Sequence, residues 1–176
     1  CPLDLVPTSS TAAAMAMGDA LVMALLEKKG LRPKDFAVYH PGGSLGKRLL
    51  LQVKDLSHAG EEIPAVKLDA PFKDVIYEIS SKRLGVTTVA DEAGCLAGIV
   101  TDGDVRRAVE RHEDVLLTRA EDIMTRDPKV IDENVLAAEA LRLMEMCSIT
   151  SVLTTDGDGR TTGIIHLHDI LKAGIL

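Results

Sequence analysis

Gly98-Ile-Val-Thr-Asp-Gly-Asp-Val-Arg-Arg-Ala108 is answered 65 residues later by Gly163-Ile-Ile-His-Leu-His-Asp-Ile-Leu-Lys-Ala173. Each copy enters a short apolar run through glycine, turns through polar residues and sets an aspartate, Asp104 or Asp169, in the first turn of a helix. A carboxylate there accepts from free N–H groups and complements the helix dipole. Two copies imply an internal pseudo-twofold with a polar strand-to-helix corner in each unit.

The residues around each copy extend the repeat. In the first half, Ile63–Leu68 forms a short segment, a helix follows from about Pro71 to Arg83, and strands over Val86–Ala90 and Cys95–Val100 flank a turn at Asp91-Glu-Ala-Gly94. A helix from about Gly103 to Arg111 closes the half. The second half repeats this order with Lys129–Ile131, a helix from Val135 to Met146, strands Ile149–Leu153 and Thr162–Ile165 around Asp156-Gly-Asp-Gly159, and a helix from Leu167 to Ala173. Gly-rich turns between β-branched runs are hairpin signals. Each half is therefore β-α-β-β-α, and units so small bury enough surface only when two share a core. The expected fold class is α+β with α/β-like character, as a paired module with a cleft between the halves.

Composition narrows the function classes. A net charge of -7 and a pI near 5.2 argue against nucleic acid or an anionic membrane as partner. With no Trp, two Tyr and two Phe, base-stacking platforms are not expected. Cys1, Cys95 and Cys147 lack the spacing of a disulfide framework or zinc site, which fits a reducing cytoplasm. No metal and no cofactor are expected. Asp156-Gly-Asp-Gly159 lacks the further oxygen ligands and closing Glu of a calcium loop. Gly46-Lys47 invites a phosphate-loop reading, but Pro41 stands where the Walker pattern needs glycine and Arg48 where it needs Ser or Thr.

Upstream, Ser9-Ser-Thr11 offers N-cap candidates for a helix over Ala12–Leu26, with Gly30 as its stop. That helix is apolar nearly all round, as buried helices are, yet the first 50 residues hold little to cover it. Asp19 near its middle argues against a membrane span. The start at Cys1 suggests a piece of a longer protein, so a missing domain or a partner chain is expected to cover this helix.

Gly98–Arg107, Asp122-Ile-Met-Thr125 and the doubled β-α-β-β-α order resemble a tandem pair of CBS domains, the Bateman module. More specifically, Pro7-Thr-Ser-Ser-Thr11, Met17-Gly-Asp-Ala20, His40-Pro-Gly-Gly-Ser-Leu-Gly46, Thr101–Arg107 and His166–Gly174 resemble the arabinose-5-phosphate isomerase family of KpsF/GutQ type. The resemblance implies the end of a sugar isomerase (SIS) domain at 1–50, a first CBS domain at 51–114 and a second at 115–176. It also implies a parent enzyme that interconverts D-ribulose 5-phosphate and D-arabinose 5-phosphate for Kdo, lipopolysaccharide or capsule synthesis. His40 matches the family's catalytic histidine; a histidine can shuttle protons near neutral pH. The family's other catalytic residues lie upstream of the matched part, so this chain alone is expected to be inactive.

In the CBS pattern, Thr and a following Asp hold a nucleotide ribose. Thr101 and Asp104 keep that pair; His166 and Asp169 replace it, and Asp69 and Asp122 match further cleft-lining positions. The expected occupant is a small effector, an adenine nucleotide or a CMP-Kdo-like nucleotide sugar. The alternative is a purely structural dimerisation module, and either way a homodimer or tetramer is expected. One departure is Ser57 where the pattern has Met, as at Met124; its hydroxyl is expected to loosen a core contact or line the cleft.

Overall fold

The computed structural model describes residues 6–32, 35 and 43–175. Helix α1 (Ser9–Lys29) follows Thr8 and stops at Gly30, whose φ of 62° lets its N–H reach back to the carbonyls of Leu26 and Glu27. Every residue of α1 is exposed, including Met15, Met17, Leu21, Val22 and Met23. By length and composition it is apolar enough to cross a membrane. The sequence reads it as a buried helix, but nothing in the described chain covers it. A second helix, α2 (Ser44–Leu50), leads into the repeated region.

The first half holds β1 (His58–Ala59), β2 (Ala65–Lys67), α3 (Phe72–Lys82), β3 (Val86–Ala90), β4 (Leu96–Thr101) and α4 (Asp102–Arg111). The second holds α5 (Ala120–Ile123), β5 (Thr125–Arg126), α6 (Ala137–Cys147), β6 (Ser151–Thr155), β7 (Thr161–His166) and α7 (Leu167–Ala173). The elements expected from the repeat fall within about two residues of their expected bounds, and α1 runs three residues further than expected at each end. Lys129–Ile131 differs, since it forms only a parallel bridge from Val130 to Leu153 where the first half has the strand β2.

The sheets are built by exchange. One runs β2-β3-β4-β5 and the other β1-β7-β6, so the leading strand of each half completes the sheet of the other. Gly98 faces Arg126 across β4 and β5, and Gly163 faces Ala59 across β7 and β1. A Cβ on Gly98 would lie 2.9 Å from the Thr125 carbonyl and 2.6 Å from Met124 Sδ. The glycine that opens each copy of the repeat thus makes room for the incoming strand.

Cores follow the same exchange. Val53, from the start of the first half, is fully buried among Ala137, Ala140, Met144, Val152, Ile165 and Ile170 of the second. Ala120 and Ile123, from the start of the second, lie with Phe72, Val75, Ile79 and Val100 of the first. A third cluster, Leu84, Val86, Ile99, Leu153 and Ile164, draws on both halves. Burying a side chain such as Val53 contributes roughly 1.5–3 kcal/mol, so neither half is complete without the other's leading segment. Ser57 does not line the cleft; its hydroxyl donates to the Val53 carbonyl at 2.8 Å.

Candidate ligand cleft between the halves

Where the halves meet, a cleft of about 930 Å³ opens between the ends of α3 and α6 and the strand-to-helix corners of β4–α4 and β7–α7. Its rim is conformationally unusual at matching places. Arg83 and Ser148 end α3 and α6 with φ of 59° and 54°, a left-handed conformation that costs a non-glycine residue about 1 kcal/mol or more. Both line the cleft.

The first corner is a closed hydrogen-bond network. Thr101 caps α4, its Oγ1 accepting from the Asp104 N–H at 3.2 Å. The Asp104 carboxylate accepts in return from the Thr101 N–H at 2.9 Å and from Thr101 Oγ1 at 2.6 Å. Its other oxygen takes the Arg107 guanidinium and, at 3.1 Å, Thr125 Oγ1 from the exchanged strand β5. Burial alone would raise the Asp104 carboxyl, but the bonds from Thr101, Arg107 and Thr125 outweigh it and hold it below the ordinary carboxylate range.

The second corner has the same plan with different chemistry. His166 caps α7 through Nδ1, which accepts from the His168 N–H at 3.1 Å. Burial, reinforced by the neighbouring His168, pushes the His166 ring below its ordinary pKa, in keeping with an unprotonated acceptor nitrogen. Asp169 takes its partner from the exchanged strand β1: His58 Nε2 stands 3.0 Å from Asp169 Oδ2, as Thr125 stands to Asp104.

Of the residues singled out from the sequence, Thr101, Asp104 and His166 line the cleft together. Asp169 faces His58 and is not among the lining residues. Asp122 accepts from the Arg119 N–H at 2.8 Å as a helix cap and borders a smaller polar pocket behind α4 with Arg107 and Arg111. Asp69 sits in the turn between β2 and α3, away from the cleft. His40 lies outside the described residues. Asp156 accepts from the N–H groups of Asp158 and Arg160, as a hairpin turn requires. Among the described residues no cluster of His, Cys, Asp or Glu is arranged to hold a metal.

The sequence did not single out the basic side chains Arg83, Arg106, Arg107 and Lys129, which border the cleft and suit an anionic group. It also missed Ser151, which stands at the start of β6 where the first half has Val86. Its hydroxyl is buried with no hydrogen-bond partner among the described residues. An orphaned hydroxyl costs about 1–3 kcal/mol unless something satisfies it.

A family model described as CBS domain matches residues 53–111 and again 120–175. The chain belongs to the CBS-domain family. Both CBS repeats open inside the exchanged segments, at Val53 and Ala120, the side chains that anchor each half in the other. Solved CBS structures share the fold. A CBS-domain containing protein from Agrobacterium tumefaciens superposes with a TM-score of 0.62 at 24% identity, covering 69% of this chain and 92% of that one. A CBS domain protein from Pyrobaculum aerophilum, complexed with AMP, gives 0.61 at 19% identity, covering 68% and 90%.

The CBS pair does not stand alone in the sequence comparison. Over all 176 residues the chain is 47% identical to arabinose 5-phosphate isomerase KdsD of Escherichia coli K12 and 46% identical to that of Yersinia pestis. It spans about half the length of these relatives, 53% of each.

Proposed function

We propose that this chain is the C-terminal part of an arabinose-5-phosphate isomerase, with residues 1–50 closing the SIS domain and the CBS repeats, 51–114 and 115–176, binding a regulatory nucleotide or nucleotide sugar in their cleft. The observation that carries the ligand reading is the cleft itself. Hydroxyl and carboxylate groups at Thr101 and Asp104 suit sugar hydroxyls, and Arg83, Arg106 and Lys129 suit phosphate. A related CBS fold was solved complexed with AMP, which supports the same ligand class here. The likeness to KdsD over all 176 residues supports a parent that interconverts ribulose 5-phosphate and arabinose 5-phosphate in the cytoplasm, with His40 as a proton-transfer residue. A thermal-shift panel of AMP, ATP, CMP-Kdo and sugar phosphates tests the ligand; an isomerase assay on the longer parent tests the reaction.

One feature favours a second reading, a module that only holds copies together. Tyr77, Leu116 and Leu117, on and beside α3, are 72%, 73% and 80% exposed, and α1 is bare along its length. Apolar surface of this extent marks a contact face. A dimer or tetramer by light scattering, with no shift from any compound in the panel, would favour scaffold over sensor.

A further inference from the structure

His58 carries two carboxylates on one ring. Nδ1 lies 3.0 Å from Glu62 Oε2 and Nε2 lies 3.0 Å from Asp169 Oδ2. A carboxylate only accepts, so each contact needs an N–H on the ring, and a neutral imidazole has one. Both bonds exist together only in the imidazolium form. The same ring joins the two halves, because His58 belongs to β1, which leaves the first half to pair with β7, while Asp169 opens α7 of the second.

We propose that His58 is a proton-dependent latch between the two CBS repeats, closed when its ring is cationic and half-released when the proton leaves. The matching position in the other crossing is Thr125, whose hydroxyl bonds Asp104 at every physiological pH. The two crossings are therefore alike in geometry and different in response: one is fixed and one titrates.

The surroundings agree with the geometry. Around the ring stand Glu62 from the turn after β1, Asp169 from the first turn of α7 and His166 at the end of β7, with Lys172 one turn further along α7. Burial opposes the charge on His58, but the bonds to Asp169 and Glu62 prevail and raise the ring above its ordinary pKa. His166 is shifted the other way and stays a neutral cap. A released latch frees the β1 end of the shared sheet and the Asp169 carboxylate beside the second corner. A raised folded pKa means the latch's stabilisation is complete below the unfolded value and is lost as pH rises through the folded one.

Two measurements on the 176-residue chain test this. Nitrogen-15 spectra of its histidine rings, with the His58 signals assigned by their absence in His58→Gln, should show His58 losing its proton at higher pH in the folded chain than in the urea-unfolded chain; loss at the same or a lower pH overturns the latch. Urea unfolding of wild type and His58→Gln, which can reach one carboxylate and does not titrate, should give a stability gap that falls by about half or more between pH 6.0 and pH 9.0. A gap that stays constant across that range assigns His58 a purely structural role. Neither measurement requires a ligand, so both stand whether or not the cleft binds a nucleotide.

Discussion

Replacing Asp104 with alanine removes more than a cap. The carboxylate is 6% exposed and serves four donors: the Thr101 N–H and hydroxyl, Arg107 and Thr125. Loss of the capping interaction costs about 1 kcal/mol. The partly buried Thr101 N–H, left without this acceptor, adds about 1 kcal/mol more, whereas Thr125 is exposed and its hydroxyl regains water. Arg107 is half exposed and regains water, so its contribution is small. The sum of about 2 kcal/mol corresponds to a melting point lower by roughly 4–8 °C for a chain of this size. The effect has a pH signature. The folded Asp104 carboxyl lies below its ordinary value, so the stabilisation is present above the unfolded pKa and is lost as pH falls through the folded one. Calorimetric melting of wild type and Asp104→Ala should therefore show a gap at pH 7 that narrows at acid pH. A shift under about 1 °C at pH 7, or a gap unchanged on acidification, would refute the network's role.

Other changes probe other parts of the account. Gly98→Ala forces a Cβ against the Thr125 carbonyl and Met124, and urea unfolding should show a loss of about 1–3 kcal/mol. Gly163→Ala meets mainly the Thr154 hydroxyl at 2.8 Å and Ser57 Cβ at 3.3 Å, and should lose less. Ser151→Val, which installs the residue of the matching position Val86, removes the orphaned hydroxyl and should raise the urea midpoint by the equivalent of about 1 kcal/mol. In the longer parent enzyme, His40→Ala should lower isomerase turnover while leaving the melting of the CBS repeats unchanged; the 176-residue chain alone should show no turnover.

The repeat made the fold legible. Gly98 and Gly163, the paired aspartates and the hairpin turns fixed the element order and pointed to corners where Thr101, Asp104 and His166 share a cleft. What the sequence hid is the exchange of β1 and β5. Two-residue strands carry no periodicity, and their pairing is set by tertiary packing of Val53 and Ala120 into the opposite core. That exchange is why Asp169 meets His58 from more than 100 positions away, a contact no local pattern announces. The basic residues of the cleft were equally silent, since Arg83 and Lys129 stand at loop positions where charged side chains are ordinary. Asp122 shows the converse: a family pattern placed it in the cleft, and the chain uses it to cap a one-turn helix.

Isothermal titration calorimetry of AMP and CMP-Kdo into wild type and Asp104→Ala decides whether the cleft between the repeats binds a nucleotide or nucleotide sugar. At least one of them should bind wild type saturably, with affinity at least about tenfold weaker, some 1.4 kcal/mol, in the variant. No heat of binding from either compound, or equal affinity in both proteins, would contradict the ligand reading.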